Sequence, residues 1–258
     1  MDIDDIVNID NELMEKLDVP LDEMCRDIQS SKCPKTLEAF FMLQINISFL
    51  KTGIFNNAED ENYYSINVLL RSLSELFVKH LYLFLEFCRK KDDTVGLEYY
   101  KWTDIKEYQD YFKGLEKERE LLGIEEKEID LDEIISEIYS GYAELPNKEK
   151  KDNKYSFYKL LKSVNEKLPI KSPILTNLPA DYSIMSSFVH GGPHANRLLM
   201  FNGVNKENRK QEIYKICKKS YLFNIMSLIN TFVTFGQFNH KYLTYLKLIK
   251  SYLNKVED

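Results

Sequence analysis

Glycine and proline are both scarce in this chain, with 9 and 7 copies among its 258 residues. Sheet-rich folds need many tight turns, which use these two residues, so their scarcity favours long helices with few connections. Hydrophobic residues make up 44% of the chain, which is enough for a sizeable core and argues against global disorder. No hairpin signal and no internal repeat is visible. The sequence therefore predicts an all-α fold, a helical bundle with long central helices.

Cysteine is also sparse. The four cysteines are scattered and form no Cys-x-x-Cys pair, and the first residues, MDIDDIVNID, are acidic where a secretory signal would be basic. Both observations favour a reduced, cytoplasmic compartment. The sequence also lacks a P-loop, a Gly-x-Gly-x-x-Gly motif and a zincin motif, so we expect no cofactor.

Only one stretch raises the question of a membrane. Residues 220–239 contain no charged side chain and are long enough to span a bilayer. They also contain Asn224, Asn230 and Gln237, and hydrocarbon penalises such amides. A helix buried inside the bundle fits better, because neighbouring helices can satisfy the amides. We therefore expect no membrane contact.

Charge is unevenly distributed around a net charge of −6. Residues 1–27 hold ten acids against two basic residues, whereas residues 205–258 hold ten basic residues against four acids. One interpretation is an acidic arm that lies on a basic face, either of its own chain or of a partner protein. The other is two separately solvated helix faces. We predict an acidic N-terminal helical arm over 1–33, broken at Pro20.

The rest of the chain predicts a single bundle. Apolar residues recur every three or four positions, Pro34 and Gly53 suit the start and stop of one helix, and 58–90 is apolar on most of its circumference. Residues 91–154 are charged and predict a surface-lying helical insertion into a domain that covers 34–258. Further helices are expected at 104–122, 130–141, 155–167, 180–190, 205–237 and 239–254.

Two charged residues interrupt the most apolar helix. Arg71 and Glu75 are four residues apart and share one helix face. They form either an i,i+4 salt bridge worth about a few tenths of a kcal/mol, or a pair in which Glu75 holds the Arg71 guanidinium towards a cleft. His80 lies about half a turn round the helix from Arg71, so it cannot join the same site.

A second group of polar residues lies in the segment YSIMSSFVHGGPHANR. Tyr182, Ser186 and His190 recur every four residues and line one face of a predicted helix. The two glycines that follow allow a ligand or another backbone to come close. His190 is either a helix-capping residue or a functional residue that transfers protons or binds phosphate.

Two other kinds of site are disfavoured here. His190 and His194 have the spacing of metal ligands on one helix, but a Gly-Gly-Pro segment interrupts that helix. We therefore expect no metal. Ser186 is a poor candidate nucleophile, because nucleophilic serines normally sit on strained turns beside an oxyanion hole.

RSLSE at 71–75 and YSIMSSFVHG at 182–191 resemble the paired motifs of an uncharacterised bacterial family, a domain of unknown function. In that family Arg-x3-Glu on one helix accompanies a later Tyr-x3-Ser-x3-His-Gly. The resemblance covers about 60–240 and leaves the acidic arm outside. It implies an all-helical fold and a shared site at Arg71, Glu75, Ser186 and His190.

The chain is also similar, more distantly, to the HEPN helical bundles, many of which are RNA-cutting toxins or phage-defence effectors. Their helical motif places a histidine shortly after an arginine and is usually doubled across a dimer. Here eight residues separate Arg71 from His80, and the order is reversed at His194 and Arg197. The likeness implies RNA as a ligand and a homodimer, with Arg71 meeting His190 across the bundle.

These observations predict a cleft between the central helix and the end of the 180–190 helix. Arg71 would bind an anionic group, Glu75 would orient Arg71, and His190 would act as general acid/base or second anion ligand. The leading hypothesis is a metal-independent ribonuclease or defence toxin. The alternatives are a non-catalytic protein-interaction module and a sensor of nucleotides or other small anions. The residues expected to support substrate binding are Tyr182, Ser186, His194 and Arg197.

Overall fold

The protein is almost entirely helical. A computed structural model describes residues 1–123, 136, 140, 155–169 and 172–257, and no β-strand occurs among them. The predicted all-α fold is confirmed, whereas the helix predicted at 130–141 lies almost wholly outside the described residues. In chain order the elements are α1 (Ile3–Asp27), α2 (Pro34–Glu59), α3 (Tyr63–Lys90), α4 (Thr94–Leu122), α5 (Phe157–Lys167), α6 (Pro173–Val189), α7 (Pro193–Val204), α8 (Lys206–Gly236), a 3-10 helix (His240–Tyr245) and α9 (Leu246–Glu257).

Three long helices, α2, α3 and α8, pack on one another and form the centre of the fold. α3 also packs against α4, α5 and α6, so neighbours surround most of its circumference. Its predicted apolar stripe is buried at Leu70, Leu73, Phe77 and Leu81, and the Phe77 ring stacks on Phe223 of α8 with centroids 4.2 Å apart. The prediction that this helix occupies the middle of a bundle is confirmed.

Two predicted helix breaks do not occur. α1 continues through Pro20, which is buried, and α2 continues past Gly53 to Glu59. A Cβ at Gly53 would lie 3.4 Å from Leu69 Cδ1, so this glycine serves the close approach of α3 and does not end a helix. Burial of the surrounding apolar residues outweighs the helix-breaking tendency of both positions.

α4 begins at Thr94, earlier than predicted, because its first turn is fixed against the start of α2. Cys33, at the N-cap of α2, makes no side-chain capping bond. Instead the Asp93 carboxylate accepts hydrogen bonds from the backbone N–H groups of Lys35 at 3.2 Å and Thr36 at 2.7 Å. A residue distant in sequence thus satisfies the free N–H groups at this helix start.

The same junction yields a test of the packing. Gly96→Ala is expected to destabilise the fold by about 1–3 kcal/mol or more, because a Cβ there would lie 2.3 Å from backbone atoms of Lys35 and Thr36. Gly114→Ala on the same helix is the matched control. A Cβ at Gly114 meets nothing within 4 Å, and helix propensity favours alanine by about 0.5–1 kcal/mol. Urea unfolding measures both variants, and equal effects would contradict the close approach.

The acidic helix α1 lies on basic residues of its own chain. Glu12 pairs with Lys255 at 3.0 Å, and Lys241 pairs with Glu23 and Asp27 at 3.2 and 3.5 Å. The apolar face of α1 is buried in the same core as the rest of the bundle. The contact between an acidic segment and a basic face therefore forms within one chain. The domain division at residue 33 and a partner protein for the arm stay predictions.

The uncharged stretch at the end of α8 is buried by the bundle. Asn224 Oδ1 accepts hydrogen bonds from Gln44 Nε2 at 2.9 Å and from Ser48 Oγ at 3.0 Å, both on α2. Neighbouring helices thus supply partners to the oxygen of this amide, whereas Asn224 Nδ2 has no hydrogen-bond partner among the described residues. Among the described residues, no helix combines the length and the apolarity needed to cross a membrane.

Candidate functional site

Four of the predicted site residues meet where α3 packs against α6. Arg71 Nε donates to Ser186 Oγ at 3.1 Å, and Arg71 Nη2 donates to Tyr182 Oη at 2.8 Å. Nη2 also lies 3.2 Å from Glu75 Oε1, and the Tyr182 hydroxyl donates to the same carboxylate oxygen. We call Arg71, Glu75, Tyr182 and Ser186 the Arg71 cluster.

The cluster forms because two helical repeats face each other. Its two α3 residues are one turn apart, and so are its two α6 residues, so each helix presents two polar groups to the other. α6 begins at Pro173, a residue suited to a first helical turn, and continues through Pro179. It starts before the predicted residue 180, but its end at Val189 agrees with the prediction.

Aromatic packing fixes the Tyr182 ring within the cluster. The ring stacks on Phe157 of α5 with centroids 3.9 Å apart, and Tyr158 contacts it edge-on at 5.7 Å. The Arg71 guanidinium lies 5.0 Å from the same ring. Burial, followed by the hydrogen bond to Glu75, raises the pKa of Tyr182 to about 12. The hydroxyl is therefore protonated at neutral pH and remains a donor to Glu75.

One edge of the Arg71 guanidinium is left for a ligand. Nε and Nη2 are used within the cluster. Nη1 has no hydrogen-bond partner among the residues that the structure describes, and 24% of the side chain is exposed. The N–H groups of Nη1 are therefore the donors of this guanidinium that the cluster leaves unused.

His190 follows α6, one turn beyond Ser186, and its side chain is exposed. Gly191, at φ +60°, turns the chain towards α7, on which His194 and Arg197 are also exposed. Within the described ranges, none of the three exposed side chains forms a hydrogen bond or ion pair with the Arg71 cluster. The predicted roles of His190, His194 and Arg197 stay predictions.

Two aromatic residues of the site, Phe157 and Tyr158, were not predicted from the sequence. They come from α5, which packs on both α3 and α6. The helical period of α5 could have indicated Tyr158. Phe157, Leu160 and Val164 recur at core-facing positions and are buried, whereas Tyr158 lies off that face and is 55% exposed. A tyrosine on the solvent face of an amphipathic helix is the feature that sequence reasoning overlooked.

His80 lies away from the cluster, in agreement with its predicted position on α3. It is fully buried, its Nε2 lies 3.0 Å from Thr231 Oγ1, and Phe40 packs against it edge-on. For the part of the chain that the structure covers, no group of three or more histidine, cysteine, aspartate or glutamate side chains is arranged to hold a metal ion.

Comparison with known proteins identifies the family of this chain. No curated protein and no solved structure matches this chain. A model of a family of unknown function matches residues 41–211, about two thirds of the chain, which includes all of α3 and α6 and therefore the Arg71 cluster. α1 lies outside the match, as the predicted resemblance implied. The chain belongs to this family of unknown function, DUF5677.

Proposed function

We propose that the Arg71 cluster binds a phosphate-bearing anion. The observation that carries this proposal is the free Nη1 edge of Arg71, whose other nitrogens are fixed by Ser186, Tyr182 and Glu75. A guanidinium held in this way loses less side-chain freedom on binding than a mobile one, and the two N–H groups of Nη1 remain to donate to the ligand. Phosphate is favoured over carboxylate, because its further oxygens would accept hydrogen bonds from His190, which follows α6 one turn beyond Ser186.

A purely structural role for the cluster predicts a different result. A network that only fixes the packing of α3 on α6 needs no free donor and is strongest when water is excluded. The Arg71 and Glu75 side chains are instead 24% and 32% exposed. This partial exposure supports a ligand-binding role over a non-catalytic packing role.

Arg71→Lys tests the proposal directly. The substitution keeps the positive charge but loses the guanidinium that Ser186, Tyr182 and Glu75 hold in place, and with it the Nη1 donor, so we expect it to weaken pyrophosphate binding about 10- to 100-fold. Calorimetric titration measures the affinity, and a rise in Tm at saturating pyrophosphate provides an independent readout. Arg26→Lys, at a side chain that is 74% exposed, is the matched control and should bind like the wild type.

Two outcomes separate the ligand role from the packing role. A lower Tm in Arg71→Lys, together with no pyrophosphate binding by the wild type, would leave only the packing role. Unchanged pyrophosphate affinity in a folded Arg71→Lys protein would place the anion elsewhere.

Metal-independent RNA cleavage is the second candidate function, and the exposed His190 favours it. His190 would remove the proton from a ribose 2′-hydroxyl, which attacks the phosphate while Arg71 stabilises the added negative charge. The bond from phosphorus to the 5′-oxygen breaks, that oxygen takes a proton from water, and His190 releases its proton to the solvent, so the products are a 2′,3′-cyclic phosphate and a 5′-hydroxyl. Such an enzyme would act in the cytoplasm, and a homodimer would carry two copies of the site.

Cleavage of RNA in the presence of EDTA tests this candidate. His190→Ala is expected to slow cleavage by about 10²- to 10⁴-fold, the usual contribution of a general acid/base. His240→Ala, at an exposed histidine of the 3-10 helix, is the control and should retain activity. Full activity in His190→Ala, or none in the wild type, would remove the ribonuclease candidate without affecting the anion-binding proposal.

A further inference from the structure

Tyr158 is an exposed aromatic ring beside the Arg71 cluster. It stands at 77° to the Tyr182 ring with centroids 5.7 Å apart, and 55% of the residue is exposed. The Arg71 guanidinium lies 5.0 Å from the same Tyr182 ring. The Tyr158 ring and the Arg71 guanidinium therefore both lie beside the Tyr182 ring. A single nucleotide is long enough to contact the two groups at once.

The packing of α5 holds the Tyr158 ring in place while leaving it open to solvent. Phe157, the preceding residue, stacks on Tyr182 and fixes the start of α5 against the cluster. Edge-on contacts with Phe157 at 5.3 Å and with Tyr182 restrict the Tyr158 ring, while more than half of the residue stays exposed. A restricted aromatic ring with an open surface is the feature on which nucleobases stack.

A second cation lies further along the same side of α3. Lys79 is one turn beyond Glu75 and two turns beyond Arg71, about 12 Å along the helix axis from Arg71. Its side chain is half-buried and, over the described ranges, pairs with no carboxylate. A strand whose phosphate is held at Arg71 and which runs along α3 would bring a later phosphate to Lys79.

We infer that the ligand of the Arg71 cluster is a nucleotide unit, held by its phosphate at Arg71 and by its base stacked on Tyr158. This inference rests on the anion binding proposed above. A free nucleotide and a single strand of RNA share this chemistry. Lys79 distinguishes the two sources, because only a strand offers it a further phosphate.

Calorimetric titration with inorganic phosphate, AMP and a 2′-O-methyl adenylate hexamer, which cannot be cleaved by 2′-hydroxyl attack, tests the inference. The wild type is expected to bind AMP about tenfold more tightly than phosphate, because the base adds a stacking contact. Tyr158→Ala should abolish this preference and Tyr158→Phe should keep it. Tyr111→Ala, at a tyrosine of α4 that is 61% exposed, is the matched control and should keep the preference.

The outcomes separate this inference from the proposed function. Equal affinities of the wild type for phosphate and AMP, or a preference that survives Tyr158→Ala, would overturn the inference and leave the anion site standing. Absence of binding by either ligand would overturn both. A loss of affinity in Lys79→Ala that affects the hexamer and not AMP identifies a strand as the ligand, whereas unchanged affinity for both identifies a free nucleotide.

Discussion

Lys51→Met is expected to lower the free energy of unfolding by about 3–5 kcal/mol, because it leaves the Asp10 carboxylate buried without its cation. The two residues form an ion pair between α2 and α1, and their side chains are only 2% and 4% exposed. Burial has the largest influence on both groups, since it lowers the pKa of Lys51 and raises the pKa of Asp10 against their mutual attraction. Asp10 Oδ1 has no hydrogen-bond partner among the described residues, which adds to the cost of a lone carboxylate.

Replacement of both partners distinguishes the unpaired charge from the lost contacts. Lys51→Met combined with Asp10→Leu is expected to restore stability to within about 1 kcal/mol of the wild type, because an apolar pair needs no compensation for lost hydration. Lys106→Met breaks the exposed pair with Asp110 at 2.8 Å and, as the control, should cost less than about 1 kcal/mol. Urea unfolding at neutral pH measures all three, and a double variant less stable than Lys51→Met would contradict this explanation.

Acid is expected to destabilise the protein through His80. Complete burial lowers the pKa of this imidazole from 6.5 to about 3. Between these values the unfolded chain binds a proton at His80 and the folded chain does not, so stability falls as the pH falls, by about 1.4 kcal/mol per pH unit. The stability that neutral His80 contributes is fully present above pH 6.5 and is lost progressively towards pH 3, a total of about 5 kcal/mol.

His80→Gln isolates this effect from that of the carboxylates. The glutamine amide can still hydrogen-bond to Thr231 Oγ1 but cannot take up a proton. Unfolding free energies of the two proteins, measured from neutral pH down to about pH 4, should therefore differ by a constant amount above pH 6.5. Below that, the wild type should lose about 1.4 kcal/mol more per pH unit. Parallel curves over the whole range would show that His80 does not cause the acid sensitivity.

Helical periodicity predicted the parts of the fold in which burial and local propensity agree. The apolar stripe of α3 is buried because the same positions that face one side of the helix also face the bundle. Periodicity did not predict the course of the chain at Pro20 and Gly53, where local helix-breaking tendency and tertiary burial conflict. At both positions the helix continues because burial outweighs the helix-breaking tendency. Only the packing of α1 and α2 in the bundle reveals this outcome.

The candidate site was predictable where its residues repeat along one helix. Arg71 with Glu75, and Tyr182 with Ser186, each follow an i,i+4 spacing, and a charged pair on an apolar helix is visible in the sequence. Tyr158 was missed because its importance depends on the packing of α5 beside α6, a contact between helices. The Asp10–Lys51 pair was missed for the same reason, since no spacing connects residues on two helices.

The most direct test of the site is the crystallographic position of a bound phosphate analogue. Tungstate has the shape of phosphate, and its anomalous signal locates it without ambiguity in crystals of the wild type and of Arg71→Lys. The expected result is a tungstate peak at hydrogen-bond distance from Arg71 Nη1 in the wild type, with the bonds to Ser186 and Tyr182 retained, and a weaker or absent peak in the variant. A wild-type crystal in which Nη1 bonds only to its own chain, with tungstate bound elsewhere, would contradict anion binding by the Arg71 cluster.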